Sequence, residues 1–267
     1  NPSAGTDYAS AITADASGIY VAGFDGSLGG TNTQWRIEKR DLSTGALIAA
    51  FGTAGVVTNN PSAGPDYARA ITSDASGIYI AGQDSSTGSD QWLVEKRDLS
   101  TGSVIWTQTI NPSAGSDRAT AITAEASGIY VAGVDRIPGN DQWRIEKRDL
   151  STGNLICTQT SNPSAGIDNA TAITADASGI YVAGQDISAD ASAEWRMEKY
   201  DLGYSCSGFS VFTFSTPTSC GSCNDGTASA TPNGGTPPFT FQWSNGSSNQ
   251  SAGGLSAGTY TVTVTDA

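Results

Sequence analysis

The chain has 267 residues, 37% of them hydrophobic, which is enough to bury a core. Its net charge is −13, and its basic residues are spread over short repeated segments, so nucleic acid is not an expected partner. No apolar run approaches the ~18 residues that span a bilayer, and we expect no membrane span. Thirty-two glycines and the absence of histidine favour strands and tight turns and remove the usual general base of enzymes.

One unit is copied four times along most of the chain. The motif Asn-Pro-Ser-Ala-Gly begins at Asn1, Asn60, Asn111 and Asn162. The same landmarks then follow in the same order: an Asp, Ala-Ile-Thr, Ala-Ser-Gly-Ile-Tyr, Ala-Gly-x-Asp, a Trp, Glu-Lys and Asp-Leu. A fixed repeat of about 50 residues is typical of proteins built from stacked structural units.

Each unit predicts four short strands. The first is Ala-Ile-Thr and the second is the segment around Ile-Tyr. In the third strand of unit one, Trp35 and Ile37 alternate with Arg36 and Glu38, the period of a half-buried strand. The fourth strand is expected at Ala46–Ala50, Val104–Thr109 and Leu155–Thr160 in the first three units. In unit four it is expected to be irregular or to come from Phe209–Ser215.

Four-stranded units of this length are typical of the blades of a β-propeller. We therefore predict an all-β fold whose residues 1–208 form a propeller-like array of four blades. The units resemble the blade repeats of bacterial secreted propeller proteins, most clearly at Phe51–Val57 with its flanking Asp-Leu and Ala-Ile-Thr. A closed ring of four blades, a part of a larger ring and an open array all agree with the sequence.

The composition changes near residue 216, where charge nearly vanishes and Thr, Ser, Gly and Pro dominate. Alternating apolar positions predict strands at Gly226–Thr231, Phe239–Ser244 and Thr259–Thr265. We predict a small immunoglobulin-like β-sandwich over residues 209–267.

The motifs of this second domain carry a sharper resemblance. They are Cys-Asn-Asp-Gly-Thr-Ala from Cys223, Gly-Gly-Thr-Pro-Pro-Phe-Thr-Phe-Gln-Trp from Gly234, and Leu-Ser-Ala-Gly-Thr-Tyr-Thr-Val-Thr-Val-Thr-Asp-Ala from Leu255. Together they closely resemble the SprB repeat of Bacteroidetes cell-surface adhesins. The resemblance implies a secreted protein exposed on the cell surface, and it supplies no catalytic residue set.

The aspartates that close Ala-Gly-x-Asp are the candidate ligand or calcium rim: Asp25, Asp84, Asp135 and Asp186. The plainer interpretation, which we favour, is that each one caps a turn through local hydrogen bonds. Calcium is the one cofactor that these carboxylates suggest, and it needs six to eight oxygen ligands.

The repeated tryptophans are predicted to pack between neighbouring blades, in preference to stacking on sugars: Trp35, Trp92, Trp143 and Trp195. Cysteines without histidine predict disulfides in an oxidising compartment. We expect a local bond between Cys220 and Cys223 and a second bond between Cys157 and Cys206.

No phosphate loop, nucleophile motif or metal-ligand cluster appears, and we expect the chain not to be an enzyme. The leading hypothesis is a structural or adhesive surface protein that could assemble with copies of itself into a filament or layer. A module whose loops bind a glycan or another surface protein is the second hypothesis, and a polysaccharide-cleaving enzyme is the third.

Overall fold

The computed structural model describes residues 3–29, 32–85, 89–137, 140–162, 166–187, 192–200, 210–221, 223–233 and 238–265. The chain divides into two compact units, which we call the repeat domain, residues 1–203, and the tail domain, residues 204–267. Both are built of antiparallel strands, and the described residues contain no helix able to cross a membrane. The all-β prediction is therefore confirmed.

The repeat domain contains one antiparallel sheet for each sequence unit, numbered here sheets I to IV. Within each sheet the strands pair in chain order, as in a propeller blade. Sheet I holds β1 Tyr8–Asp15, β2 Gly18–Asp25, β3 Gln34–Arg40 and β4 Val56–Asn59. Sheet II holds β5 Tyr67–Asp74, β6 Gly77–Asp84, β7 Gln91–Arg97 and β8 Val104–Ile110. Sheet III holds β9 Arg118–Glu125, β10 Gly128–Ile137, β11 Asn140–Arg148 and β12 Leu155–Ser161. Sheet IV holds β13 Asp168–Asp176, β14 Gly179–Ile187 and β15 Ala193–Tyr200.

The fourth strand of unit one is not where we predicted it. Residues 46–50 lie in a looped segment, and β4 pairs with β3 instead, joining Val56 to Glu38 and Asn59 to Trp35. This unit has eight extra residues, because 59 residues separate the first two motifs and 51 separate the next two. The loop is fixed by Phe51, which is fully buried and packs edge-on against Tyr20 at 6.0 Å.

The position of Phe51 also shows which residue of unit one is equivalent to Trp106 of unit two. It lies against the glycine of the next turn, Gly102, as Trp106 lies against Gly153 one sheet further on. Phe51 is therefore the counterpart of Trp106. The outer strands of sheets II and III lie within one residue of the predicted Val104–Thr109 and Leu155–Thr160.

The tail domain is a small two-sheet sandwich. One sheet has the order β16 Ser210–Thr216, β17 Gly226–Asn233 and β19 Ser251–Leu255; the other pairs β18 Thr240–Trp243 with β20 Val262–Thr265. Its core includes Ala230, Trp243, Ala252 and Leu255. Since β16 pairs with β17 along its whole length, the idea that this segment completes the fourth blade is wrong.

Three clusters of buried residues hold the repeat domain together, and each joins two successive sheets. The first cluster combines Trp35 and Ile37 of sheet I with Ile71, Ile80 and Leu93 of sheet II. No single sheet can bury both of its faces, so the core of this domain is the set of surfaces between sheets.

We expect Trp92→Ala to destabilise the protein by about 3–5 kcal/mol, because it leaves a cavity between sheets II and III. The matched variant Trp195→Ala should change the free energy of unfolding by less than about 0.5 kcal/mol, because this side chain is fully exposed. Urea unfolding followed by far-ultraviolet circular dichroism measures both. Equal losses in the two variants would contradict the burial difference.

Candidate functional sites

The aspartates of Ala-Gly-x-Asp lie at the ends of the second strands, and their carboxylates are engaged locally. Asp25 accepts hydrogen bonds from the Ser27 hydroxyl at 2.5 Å and the Gln34 amide at 3.1 Å, and Arg36 lies 3.5 Å away. Burial raises the pKa of Asp25, but those hydrogen bonds and the Arg36 charge outweigh it and lower the pKa overall. This geometry fits the turn-capping interpretation.

The other three predicted rim residues repeat part of this arrangement. Asp84 accepts a hydrogen bond from Gln91, and Asp135 from Gln142, at 3.2 and 3.1 Å. Arg144 lies 3.7 Å from Asp135, and Arg196 lies 3.8 Å from Asp186. The partner in each case comes from the third strand of the same sheet, so these carboxylates connect strands within a blade.

A second repeated aspartate, which the sequence showed only as a landmark, closes the Asn-Pro-Ser-Ala-Gly loop. Asp66 accepts hydrogen bonds from the backbone and hydroxyl of Ser62 and from the backbone N–H of Ser85. Asp117 makes the equivalent bonds to Ser113 and Arg136. Burial raises the pKa of both carboxyls despite these bonds. The fixed Ser-x-x-x-Asp spacing was the signal that could have identified these hydrogen bonds across the loop.

The two sets of aspartates lie close together, and the nearby charge of Asp84 also raises the pKa of Asp66. Within the described part of the chain, however, no group of three or more acidic or sulfur side chains is positioned to hold a metal ion. Arg36, Arg144 and the Gln91 amide each lie within 4 Å of a rim carboxylate. The Oδ1 atoms of Asp135 and Asp186 are buried without a hydrogen-bond partner among the described residues. The calcium rim stays an untested prediction, and the local contacts favour the structural role.

We expect a chelator such as EGTA to leave the melting temperature unchanged, because Asp25 and Asp135 already have cationic and amide partners within their own sheet. Calorimetry with EGTA and with excess calcium makes the measurement. A rise in melting temperature with calcium that Asp135→Asn abolishes would instead support the rim as a metal site.

A third aspartate opens the Asp-Leu-Ser-Thr-Gly turn. The Asp41 carboxylate accepts four hydrogen bonds from the backbone and hydroxyl groups of Ser43 and Thr44, which lower its pKa to about 2. Asp149 has the same four bonds from Ser151 and Thr152, and its pKa also falls to about 2. The bonds from Ser100 and Thr101 lower the pKa of Asp98 well below its usual range.

These turns make stability depend on acid pH. A carboxyl whose folded pKa is lowered stabilises the protein fully above its unfolded pKa near 3.8, and the gain is lost as the pH falls towards about 2. We expect a triple variant with Asn at positions 41, 98 and 149 to melt at a lower temperature at pH 7. The gap from the wild type should narrow between pH 4 and pH 2, and a constant gap would contradict this origin.

The tryptophans carry the contact between sheets, as predicted for three of the four. Their indole Nε1–H groups donate to a backbone oxygen in the following sheet: Trp35 to Gln83 at 3.2 Å, Trp92 to Val134 at 3.0 Å and Trp143 to Gln185 at 3.2 Å. All three side chains are fully buried. Trp195 is fully exposed, so the prediction is wrong for this residue within the isolated chain.

The glycine of Ala-Gly-x-Asp makes room for each buried indole. A Cβ at Gly82 would lie 2.9 Å from the ring of Trp35, and one at Gly133 would lie 2.8 Å from the ring of Trp92. We call the sheet surface that carries the tryptophan the Trp face and the opposite surface the Gly face. Successive sheets therefore pack with the Trp face of one against the Gly face of the next.

Lysine adds a second tie across the same surface. Lys39 donates from Nζ to the Leu99 oxygen at 2.8 Å, and Lys96 donates to the Leu150 oxygen at 2.9 Å. Each ammonium also lies over the ring of a tyrosine in its own sheet, Tyr20 or Tyr79, about 5 Å from the centroid.

Three of the four cysteines lie among the described residues, namely Cys157, Cys220 and Cys223. Cys220 and Cys223 form the predicted local disulfide. Cys157 is buried on β12 and is not a free thiol. Its predicted partner, Cys206, lies outside the described residues, so that pairing stays a prediction.

The tail domain has a groove of about 610 Å³ beside its core. Its lining includes Phe214, Trp243, Tyr260 and Leu255, and no charged side chain contributes to it. It is a neutral, partly aromatic surface at the position of the SprB-like motifs.

The structure defines the fold class of the protein, and one family model matches part of the chain. The molecule is an all-β protein made of propeller-like blades followed by a β-sandwich. Residues 213–248 match the family described as SprB repeat, which confirms the resemblance in the tail domain and points to a Bacteroidetes cell surface. No curated protein matches the chain.

Solved structures match this chain at low similarity. A subtype N10 neuraminidase-like protein of A/little yellow-shouldered bat/Guatemala/060/2010 is 9% identical with a TM-score of 0.44, over 93% of this chain and 81% of that one. Two structures of an exo-β-1,3-galactanase from Phanerochaete chrysosporium are 10% and 11% identical, with TM-scores of 0.34 and 0.35. They cover 98% and 95% of this chain and 93% and 91% of theirs.

The prediction that this chain is not an enzyme does not stand, because the solved structures that it matches include an exo-β-1,3-galactanase. Lack of histidine did not justify the exclusion, since glycoside hydrolysis needs only a pair of carboxyl groups. TM-scores below 0.5 assign no activity to this chain.

Proposed function

We propose that the protein is a structural or adhesive component of the bacterial cell surface, in which the blade array is displayed together with an SprB-type tail domain. The match of residues 213–248 to the SprB repeat carries this proposal. The net charge of −13 supports it, because a strongly acidic surface keeps a displayed protein soluble and apart from anionic neighbours.

The internal construction of the repeat domain also supports a mechanical role. Its acidic side chains are used in turns and within blades, as at Asp25, Asp41 and Asp66. The sheets are tied through buried indoles and lysines. A chain whose polar groups stabilise turns and contacts between sheets is suited to keep its shape under mechanical load.

Surface exposure is the first test. We expect an antibody raised against the folded protein to label intact cells of the strain that produces it, and brief protease treatment of intact cells to remove the signal. A periplasmic protein that stays protected serves as the control. Labelling that appears only after permeabilisation would contradict the proposal.

Adhesion is the second test. We expect deletion of the gene to reduce attachment of cells to surfaces or to one another, and the full-length gene to restore it. Beads coated with the purified chain should attach more than beads coated with albumin. Undiminished attachment of the deletion strain would limit the role to a structural one.

A further inference from the structure

Sheets I and IV each have one surface that the other described sheets of the repeat domain leave uncovered. One is the Gly face of sheet I and the other is the Trp face of sheet IV. Each is one half of a contact that the chain makes three times internally.

Exposure of equivalent residues shows that the Gly face of sheet I is a core surface without its cover. Ile12 is 68% exposed, whereas its counterparts Ile71 and Ile122 are each 7% exposed. Gly23 has no indole against it, although the equivalent Gly82 lies against Trp35. A groove of about 470 Å³ opens here, lined by Ala9, Val21 and Gly23 together with polar neighbours.

The Trp face of sheet IV is the other half of this contact between sheets, and it is also uncovered. Trp195 is fully exposed where Trp35, Trp92 and Trp143 are fully buried. Met197 is 72% exposed, whereas Ile37, Val94 and Ile145 at the same position are 0–2% exposed. Lys199 is exposed too, beside the ring of Tyr181 as its counterparts lie beside theirs.

We propose that a second copy of this chain covers these surfaces, with the Trp face of sheet IV of one copy packed on the Gly face of sheet I of the next. The Trp195 indole enters the groove at Gly23 and donates to the Phe24 oxygen, the position that matches Gln83, Val134 and Gln185. Lys199 reaches the Leu42 oxygen, which matches Leu99 and Leu150. This contact continues the established contact between sheets across a boundary between chains.

The geometry of the contact determines the kind of assembly. The two surfaces are different, so the contact is head-to-tail and each copy keeps one free half. Such contacts build open chains or close into rings, whereas a symmetric dimer would leave no free surface. The inference adds a partner to the proposed surface role, and purified protein tests it without any dependence on location in the cell.

Two variants block opposite halves. Ile12→Arg places a charge on the Gly face of sheet I, and Trp195→Glu removes the indole from the Trp face of sheet IV; both sites are exposed in the single chain, so the fold should be retained. Matched controls are Ile105→Arg on β8 and Ile156→Glu on β12, which are exposed apolar residues on the outer strands of sheets II and III.

Analytical ultracentrifugation over a concentration series is the experiment. We expect the wild type and both controls to associate, more strongly in about 1 M salt, where the Debye length falls to about 3 Å and repulsion between acidic copies is screened. Each blocking variant alone should associate at least about 30-fold more weakly, the effect of losing an interface hot spot. A mixture of the two should form dimers and nothing larger, because Trp195→Glu keeps the groove and Ile12→Arg keeps the indole.

Other outcomes overturn the proposal. A wild type that stays monomeric at high concentration and in high salt would mean that a different chain or another unit of the repeat covers these surfaces. Association that survives in both blocking variants would place the joint elsewhere. Larger assemblies in the mixture would show that the contact is not head-to-tail.

Discussion

The buried indole between sheets is the interaction on which the repeat domain depends. An antiparallel sheet of three or four short strands exposes two broad faces, and it is stable only when a neighbour covers them. Trp35, Trp92 and Trp143 each fill this space and give their N–H group a backbone acceptor in the next sheet. The indole thus removes apolar surface from water and satisfies its own polar atom in the same contact.

A glycine in the facing sheet makes this contact possible, and the pair gives the array a direction. Every sheet presents an indole on one surface and a glycine on the other, so a stack of any length has two unlike ends. In this chain the surface around Gly23 and the surface around Trp195 are not covered by another described sheet. In the proposed assembly, contact between molecules repeats the contact that joins sheets inside one molecule.

The acidic residues serve the blades themselves. Several kinds of aspartate recur in the units, and many of them accept hydrogen bonds from serine, threonine or backbone groups close in sequence, as Asp41, Asp66 and Asp25 do. Repetition of a carboxylate therefore reflects repetition of a turn. A unique site for a ligand or for chemistry would have to be built from what differs between blades, namely the loops of unequal length that follow each Ala-Gly-x-Asp.

The sequence alone determined the all-β class, the four units, the alternation of the third strands and the SprB-like tail. Hydrophobic period and turn motifs are local properties of the sequence, and they recur in every repeat. It also identified the tryptophans as contacts between sheets. It misplaced the fourth strand of unit one, since an apolar loop anchored by Phe51 has the same local composition as a strand. The tertiary structure alone decided that β16 pairs with β17, and that Trp195 is exposed while its three counterparts are buried. Burial of a repeated residue depends on whether a neighbouring sheet lies against it, and no pattern within the unit records that.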